Sequence, residues 1–293
     1  MDKIPLFIIN LDAAEMTQQC LDHLARHTDR SAVTIQVIDN GSRRPGETDR
    51  LKAFLQGRLC DELIFHATNL GFSRAVNLAV QQTREPIFCS INNDCLVEEF
   101  WLDAALRTLQ SDDRIAAVCS NIYNRPARRS PGADGSIGQL NGAIMLFRRA
   151  AWADVGEFDS DHFSPAYGEE LDWSYRALRK GYTLKQSGRS LAYHVGSYTA
   201  NRSFDPNEIR LIRLTHRIQV RLFNWSIRRL LVTSWKIYYY ELVFEIKNGT
   251  ARLLVRAFIE IVKRAAMIRV ERGKRIGIQP DPKMRLPRGG QQF

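Results

Sequence analysis

Cysteine is scarce and unpatterned in this chain. Five are present (Cys20, Cys60, Cys89, Cys95 and Cys119), an odd number with no C-x-x-C pair, which argues against a disulfide framework or a zinc site and fits a reducing cytosol. Long apolar runs are missing too. The longest, Leu230–Ile246, is broken by Lys236, Glu241 and Glu245 and falls short of the roughly 20 residues that a spanning helix requires. The apolar run Ile4–Leu11 is β-rich and too short for the hydrophobic region of a signal peptide, so secretion is not expected. There is no internal repeat.

What remains is ample material for a core. The 293 residues are 44% hydrophobic and 25% charged, which excludes global disorder and suits one large domain or one domain with an appendage. The net charge of +10 is unevenly placed: from Asp205 onward there are 19 Lys/Arg against 7 Asp/Glu, so the last third is strongly basic and the rest is near neutral. A basic end on a neutral body points to an anionic partner, either nucleic acid or an acidic membrane surface.

Through the first 120 residues, short β-rich runs (Leu6–Leu11, Val33–Ile38, Leu63–His66, Ile87–Ile91, Ile115–Cys119) alternate with helix-spaced segments (Ala14–His27, Thr48–Leu59, Ser73–Thr83, Glu98–Gln110). That alternation predicts an α/β doubly wound, mostly parallel sheet with helices on both faces. Asn121–Gly138 reads as a long loop and a candidate lid. Beyond it a strand at Ala143–Phe147, a short helix at Ala150–Val155, a helix at Glu170–Lys180 stopped by Gly181, and a strand at Tyr182–Gln186 complete the domain, placed at 1–204. A helical, basic extension is expected over 205–276 and a disordered basic tail over 277–293.

In such sheets ligands gather beyond the carboxyl ends of the strands, where this sequence carries polar strings. Asp39, before Asn40 and Gly41, can accept a hydrogen bond from the imide N–H of a pyrimidine ring, although Asn-Gly after a strand is also a common turn. Asp94, after the run Pro86–Asn92, suits a hard divalent cation bridging phosphate oxygens; the alternative is a helix cap. Glu169, Glu170 and Asp172 crowd one helix start, where they either cap it or include a general base whose pKa is raised by its neighbours. His194, in a polar glycine-containing segment, is a candidate metal ligand or phosphate contact or else structural. Gly71, Arg74 and Asn77 open a helix that faces the same strand ends, where Arg74 is either a diphosphate contact or solvated.

Taken in order, the strings VIDNGS, NLGFSRAVN, INND, NGAIMLFRR with GEFD behind it, YGEELDWSYRALRKGY and YHVGS resemble the inverting family 2 glycosyltransferases of the GT-A fold, in particular their rhamnosyltransferase-like branch in bacterial surface polysaccharide synthesis. The resemblance spans roughly Ile4–Ser203. It implies that Asp39 holds the base of a nucleotide-sugar donor, with Asn40, Gly71, Arg74, Asn77 and Asn93 also on the donor side. It puts the metal motif, D-x-D in the family, on Asn92-Asn93-Asp94 with only the last carboxylate retained, and His194 beside it, the cofactor being Mg²⁺ or Mn²⁺. The catalytic base falls on Glu170, one methylene longer than the usual aspartate, with Glu169 and Asp172 as alternatives. The donor implied is dTDP-rhamnose, and the acceptor a glycan or lipid-linked glycan. None of the five tryptophans follows an arginine, so the Q-x-x-R-W string of processive synthases is absent and single transfers are expected.

Within the basic extension, Arg252, Arg256, Glu260 and Lys263 recur at helical spacing opposite Leu254, Phe258, Ile261, Val262 and Ala265. The segment Ala251–Val270 is therefore expected either on an anionic cytoplasmic membrane surface, making the protein peripheral on the inner face of the cell membrane, or packed on the catalytic domain or a second subunit of a homodimer. A nucleic-acid partner is not expected, because RNA-binding tails need few aliphatic residues. A nucleotidyltransferase would carry a glycine-rich basic loop where this chain has NLDAAEM, and a non-catalytic sugar-nucleotide-binding relative is the other alternative.

Overall fold

The alternation becomes, in the computed structural model, one mixed sheet between two helical layers; the structure describes residues 3–123, 131–196 and 198–276. The first half is β1 (Ile4–Asn10), α1 (Ala14–His27), β2 (Val33–Asp39), α2 (Glu47–Gln56), β3 (Glu62–Phe65), α3 (Phe72–Gln81) and β4 (Ile87–Asn92). Its strands are all parallel, in the order β3-β2-β1-β4. The second half adds β5 (Cys95–Val97), α4 (Trp101–Gln110), β6 (Ile115–Tyr123), β7 (Gly135–Ile137), β8 (Ile144–Arg148), α5 (Arg149–Val155), α6 (Glu169–Arg179) and β9 (Thr183–His194). From β4 the sheet continues through antiparallel β8 to β6, which runs parallel to β9; β5 and β7 pair antiparallel with β9.

The strands are apolar on both faces because both faces are covered. Leu6 and Ile8 point into one core with Leu21, Leu24, Trp101 and Leu109, while Phe7, between them, points into the other with Val76, Phe88, Trp152 and Trp173. The register levels the carboxyl ends: Asn10 pairs with Asp39, and Ile9 with Asn92.

The chain then runs through α7 (Tyr198–Ser203), α8 (Pro206–Asn224), α9 (Ile227–Lys247), α10 (Ala251–Lys263) and α11 (Ala265–Ile276). Asp205 caps α8, its carboxylate accepting the amides of Asn207 and Glu208. A third core joins Phe163 and Tyr175 of the sheet domain to Leu214, Ile218 and Phe223 of α8, Leu254, Ala257 and Ile261 of α10, and Ile268 of α11.

Three expectations change. The long loop over 121–138 contains the end of β6 and all of β7, while 124–130, like the tail over 277–293, lie outside the described residues. The last strand continues past Gln186 to His194, and β5 pairs with its end. Finally, α10 packs against α8 through Leu253, Leu254, Ala257 and Ile261, whereas Phe258 and Val262, expected on the same face, are exposed.

Candidate active site

The floor of the site is the row of strand ends β2-β1-β4. One chain of side-chain hydrogen bonds crosses it. Asn93 Nδ2 donates to Thr17 Oγ1 at 3.1 Å, Thr17 Oγ1 donates to Asn10 Oδ1 at 2.8 Å, and Asn10 Nδ2 donates to Asp39 Oδ1 at 2.9 Å. The Ser42 hydroxyl donates to the same Asp39 oxygen, so that Oδ1 is occupied, while Oδ2 receives, among the described residues, only a long contact from the Ser42 amide at 3.4 Å. All four side chains from Asn93 to Asp39 are buried, where leaving any of these hydrogen bonds unmade would be costly. Gly41, at φ +81°, is required: a Cβ there would stand 2.4 Å from the Thr68 carbonyl carbon.

Asn40 is buried and used internally. Its amide donates to Asn69 Oδ1 and the Gly71 carbonyl, and its oxygen accepts from the Leu70 amide, tying the loop after β2 to the loop after β3. Sequence reading missed Asp12, at φ 51°, whose carboxylate accepts the Arg43 and Arg44 amides and pins the loop after β1 over Ser42. A polar residue two beyond a strand end was its only signal.

Asp94 sits in the turn between β4 and β5, not at a helix cap, since α4 begins only at Trp101. Pairing of Cys95 with His194 across β5 and β9 brings the imidazole in, with Nε2 3.1 Å from Asp94 Oδ1. The Tyr198 amide donates to Oδ2 at 3.3 Å. Burial pushes this carboxylate's pKa up, but His194 and the Tyr198 amide outweigh it and hold the group below the ordinary range. Ligand atoms of Asp94, Cys95 and His194 lie within 4.8 Å of one another. The Cys95 thiol is buried, its pKa is driven well above the ordinary value, and it donates to the Ala143 carbonyl at 3.6 Å. Asp94 and His194 thus form an oxygen-and-nitrogen pair that fits Mg²⁺ or Mn²⁺, with a protonated thiol behind them.

The third part is the start of α6. Gly168, at φ +103°, begins the helix and puts Glu169 and Glu170 on its first turn. Glu169 is buried and its Oε2 has no hydrogen-bond partner among the described residues; burial and the charge of Glu170 raise its pKa well above the ordinary glutamate value. Glu170 faces Gly142: a Cβ there would be 3.4 Å from Glu170 Cγ and 3.7 Å from Oε1, so glycine clears the carboxylate's space. Burial raises the Glu170 pKa, opposed by helix-start amides and the charge of Arg217. Gly142 adjoins Ala143, whose carbonyl accepts the Asn92 amide at 2.8 Å, so the α6 carboxylates stand across the rim from the Asn92–Asp94 turn.

Asp172, expected as an alternative base, is instead the centre of a buried ion-pair network. It accepts from Arg176 Nε and Asn224 Nδ2, each at 2.8 Å, and from Arg275 of α11. With no exposed surface and no free face, it cannot meet an acceptor hydroxyl. Asn77, expected on the donor, is likewise committed: it donates to the Phe158 carbonyl at 2.8 Å and accepts the Phe158 amide at 3.2 Å, clamping α3 to the GEFD segment. Gly71 packs under Pro165, where a Cβ would lie 3.0 Å from the carbonyl oxygen. Arg74 is exposed. His216 of α8, missed from sequence, bonds through Nδ1 to the Ala166 and Tyr167 carbonyls, which fixes the backbone leading into α6.

A carboxylate with one open oxygen, a carboxylate paired with an imidazole, and the Glu170 carboxylate of raised pKa therefore lie around one row of strand ends. The profile of Glycosyl transferase family 2 matches residues 6–163, from β1 to the segment before α6, which includes Asp39 and Asp94. Glycosyltransferase AglE of Haloferax volcanii is 25% identical over 185 residues; the matched region is 58% of this chain and 60% of that protein. The mannosyltransferase PcManGT of Pyrobaculum calidifontis, solved with GDP-Man and Mn²⁺, superposes with a TM-score of 0.61 at 15% identity, over 93% of this chain and 80% of that one. GalNAc-T7, solved with UDP, GalNAc and Mn²⁺, gives a TM-score of 0.62 at 13% identity, over 77% of this chain and 48% of that one. At these identities the likeness is one of fold, the GT-A fold.

Proposed function

The chain belongs to glycosyl transferase family 2, and on that premise we propose that it moves a sugar from a nucleotide diphospho-sugar to an acceptor hydroxyl, with inversion and one sugar per encounter. The observation that carries the reading is the single rim: Asp39 and Asp94 beyond the ends of β2 and β4, the two parallel strands that flank β1, linked by the Asn93–Thr17–Asn10 chain, with Glu170 across from them.

The roles follow from the chemistry of each group. Asp39 Oδ2 accepts the N–H of the nucleobase, since Oδ1 is already used. Asp94 and His194 would hold a divalent cation, which when bound supplies positive charge for the diphosphate; PcManGT and GalNAc-T7 were both solved with Mn²⁺. Glu170 takes the proton of the acceptor hydroxyl as its oxygen bonds to the anomeric carbon. The bond from that carbon to the diphosphate oxygen breaks with its electron pair, and configuration inverts in one displacement. Burial and the charge of Glu170 favour the protonated form of Glu169 beside the base. The donor is read as dTDP-rhamnose and the acceptor as a lipid-linked or polysaccharide glycan, on the resemblance of the sequence strings.

The test is turnover of radiolabelled UDP-, GDP- and dTDP-sugars, each with and without Mn²⁺ or Mg²⁺, with the product's anomeric configuration read by NMR. Metal-dependent release of one class of nucleoside diphosphate, with a product inverted relative to the donor, is expected. Retained configuration would overturn the mechanism; no transfer or hydrolysis from any donor would overturn the activity.

A further inference from the structure

We propose that α9 lies flat on an anionic lipid surface, with its outward face at headgroup depth. This inference is independent of the reading of the active site. The helix differs from an ordinary surface helix in carrying apolar residues on its outer face and its carboxylates toward the body. Its two carboxylates point inward: Arg210 Nε donates to Glu245 Oε1 at 2.6 Å, Thr250 Oγ1 donates to Glu245 Oε2 at 2.6 Å, and Arg217 Nη1 donates to Glu241 Oε1 at 2.9 Å. Leu230, Ile237 and Tyr238 pack against the third core, but a second apolar set points outward. Leu231, Val232, Trp235, Tyr239, Leu242 and Ile246 fall on one stripe by helical spacing, and all are exposed, Leu231 by 74% and Trp235 by 62%.

The rotation is fixed from inside. Turning the stripe inward would expel Glu241 and Glu245 and strip Arg210 and Arg217 of α8, both half-buried, of these carboxylates, which buried ion pairs resist strongly. The charge left on the outside has one sign. Arg228, Lys236 and Lys247 are exposed on α9 itself, and Arg252 and Arg256 on the next helix, α10. Among the described residues, the remaining carboxylates of α10 and α11, Glu260 and Glu271, are paired with Lys263 and Lys274.

An apolar stripe with an exposed tryptophan and tyrosine, rimmed by cations, complements an anionic bilayer interface. A second copy would bring like charges together. None of the described helices is long and apolar enough to cross a membrane, so the contact is with the surface.

Trp235 makes the inference readable, because Trp101, Trp152, Trp173 and Trp225 are buried. The full chain is titrated with vesicles of phosphatidylcholine alone and with about 30% phosphatidylglycerol, at low and high salt. Expected are cosedimentation with the anionic vesicles only, a blue shift and bromolipid quenching of tryptophan emission that Trp235→Phe removes, and at least about tenfold weaker binding by Leu231→Ser/Trp235→Ser. Both substitutions lie on exposed positions outside the core, and circular dichroism checks the fold. No binding to anionic vesicles, quenching that persists in Trp235→Phe, or a concentration-dependent dimer that blue-shifts Trp235 without lipid would overturn the proposal.

Discussion

Replacing Asp172 with asparagine separates a structural carboxylate from a catalytic one. The side chain is fully buried and receives Arg176 and Arg275, themselves only 17% and 10% exposed, together with Asn224. The Asp172→Asn change keeps the shape but removes the charge that two guanidinium groups share. Breaking a buried pair costs about 3–5 kcal/mol, and retained shape puts this case near the lower end, about 3 kcal/mol. At roughly 2–4 °C per kcal/mol for a chain of this size, the melting temperature should fall by about 6–12 °C. Urea denaturation followed by circular dichroism gives the free energy, and single-turnover transfer in the cold gives the chemistry of the molecules that remain folded. The expected result is a large loss of stability with the rate per folded molecule close to that of wild type. A variant of unchanged stability with turnover down by about a hundredfold or more, the cost of losing a general base, would refute the structural assignment and make Asp172 the base.

Glu170→Gln should lower kcat by at least about a hundredfold while donor affinity, measured by calorimetry, stays unchanged; a loss of affinity alone would sink its role as base. Because burial raises the pKa of the Glu169–Glu170 pair, the acid limb of the kcat–pH profile should lie above the ordinary glutamate value of about 4.3. The same shift favours the protonated folded form, so stability falls as pH rises from the ordinary value through the raised one. Glu169→Gln should therefore raise the melting temperature at about pH 8, and the gain should vanish near about pH 4; a gain independent of pH would contradict the sign. Asp94→Ala should abolish metal-dependent turnover without unfolding, and His194→Ala should raise the Mn²⁺ concentration for half-activation by about tenfold; wild-type metal activation in both would remove them from the cation site. Thr17→Val cuts the chain to Asp39 at its middle and should weaken nucleotide binding with little change in kcat, as measured by KM against kcat.

Much of the sheet was legible because its strands and helices are long enough to show their period. Ala14–His27 is α1 to the residue, and β1, β2, β4 and β6 match their apolar runs at the starts or within a few residues. β5 and β7 have three residues each, too few for a period, and β9 hides its continuation behind a bulge, where the partner of β6 skips from Ser187 to Leu191. At the site, Asp39, Asp94, His194 and the α6 carboxylates were visible as polar groups where apolar runs end. The duties of Asn40, Asn77 and Asp172 were not, because each is set by partners far along the chain: Phe158 is 81 residues from Asn77, and Arg275 is 103 from Asp172. In α9 and α10 the spacing of apolar residues is plain from the residues themselves, but not which way they turn. For α9 the direction comes from Arg210 and Arg217 on another helix.

The row of side chains from Asn93 to Asp39 has a polarity: every proton in it points toward Asp39. A one-way wire of this kind fixes how its last member sits. In Asp39→Asn the new amide would turn its oxygen to Asn10 Nδ2 and the Ser42 hydroxyl, both donors, and its N–H would then point outward from the place of Oδ2. The upstream members keep their partners in that arrangement, so the wire decides the orientation of whatever amide or carboxylate ends it. The hydrogen-bonding sense of the outer face is therefore reversible at one position, from acceptor to donor, with Asn10 and Thr17 left as they are.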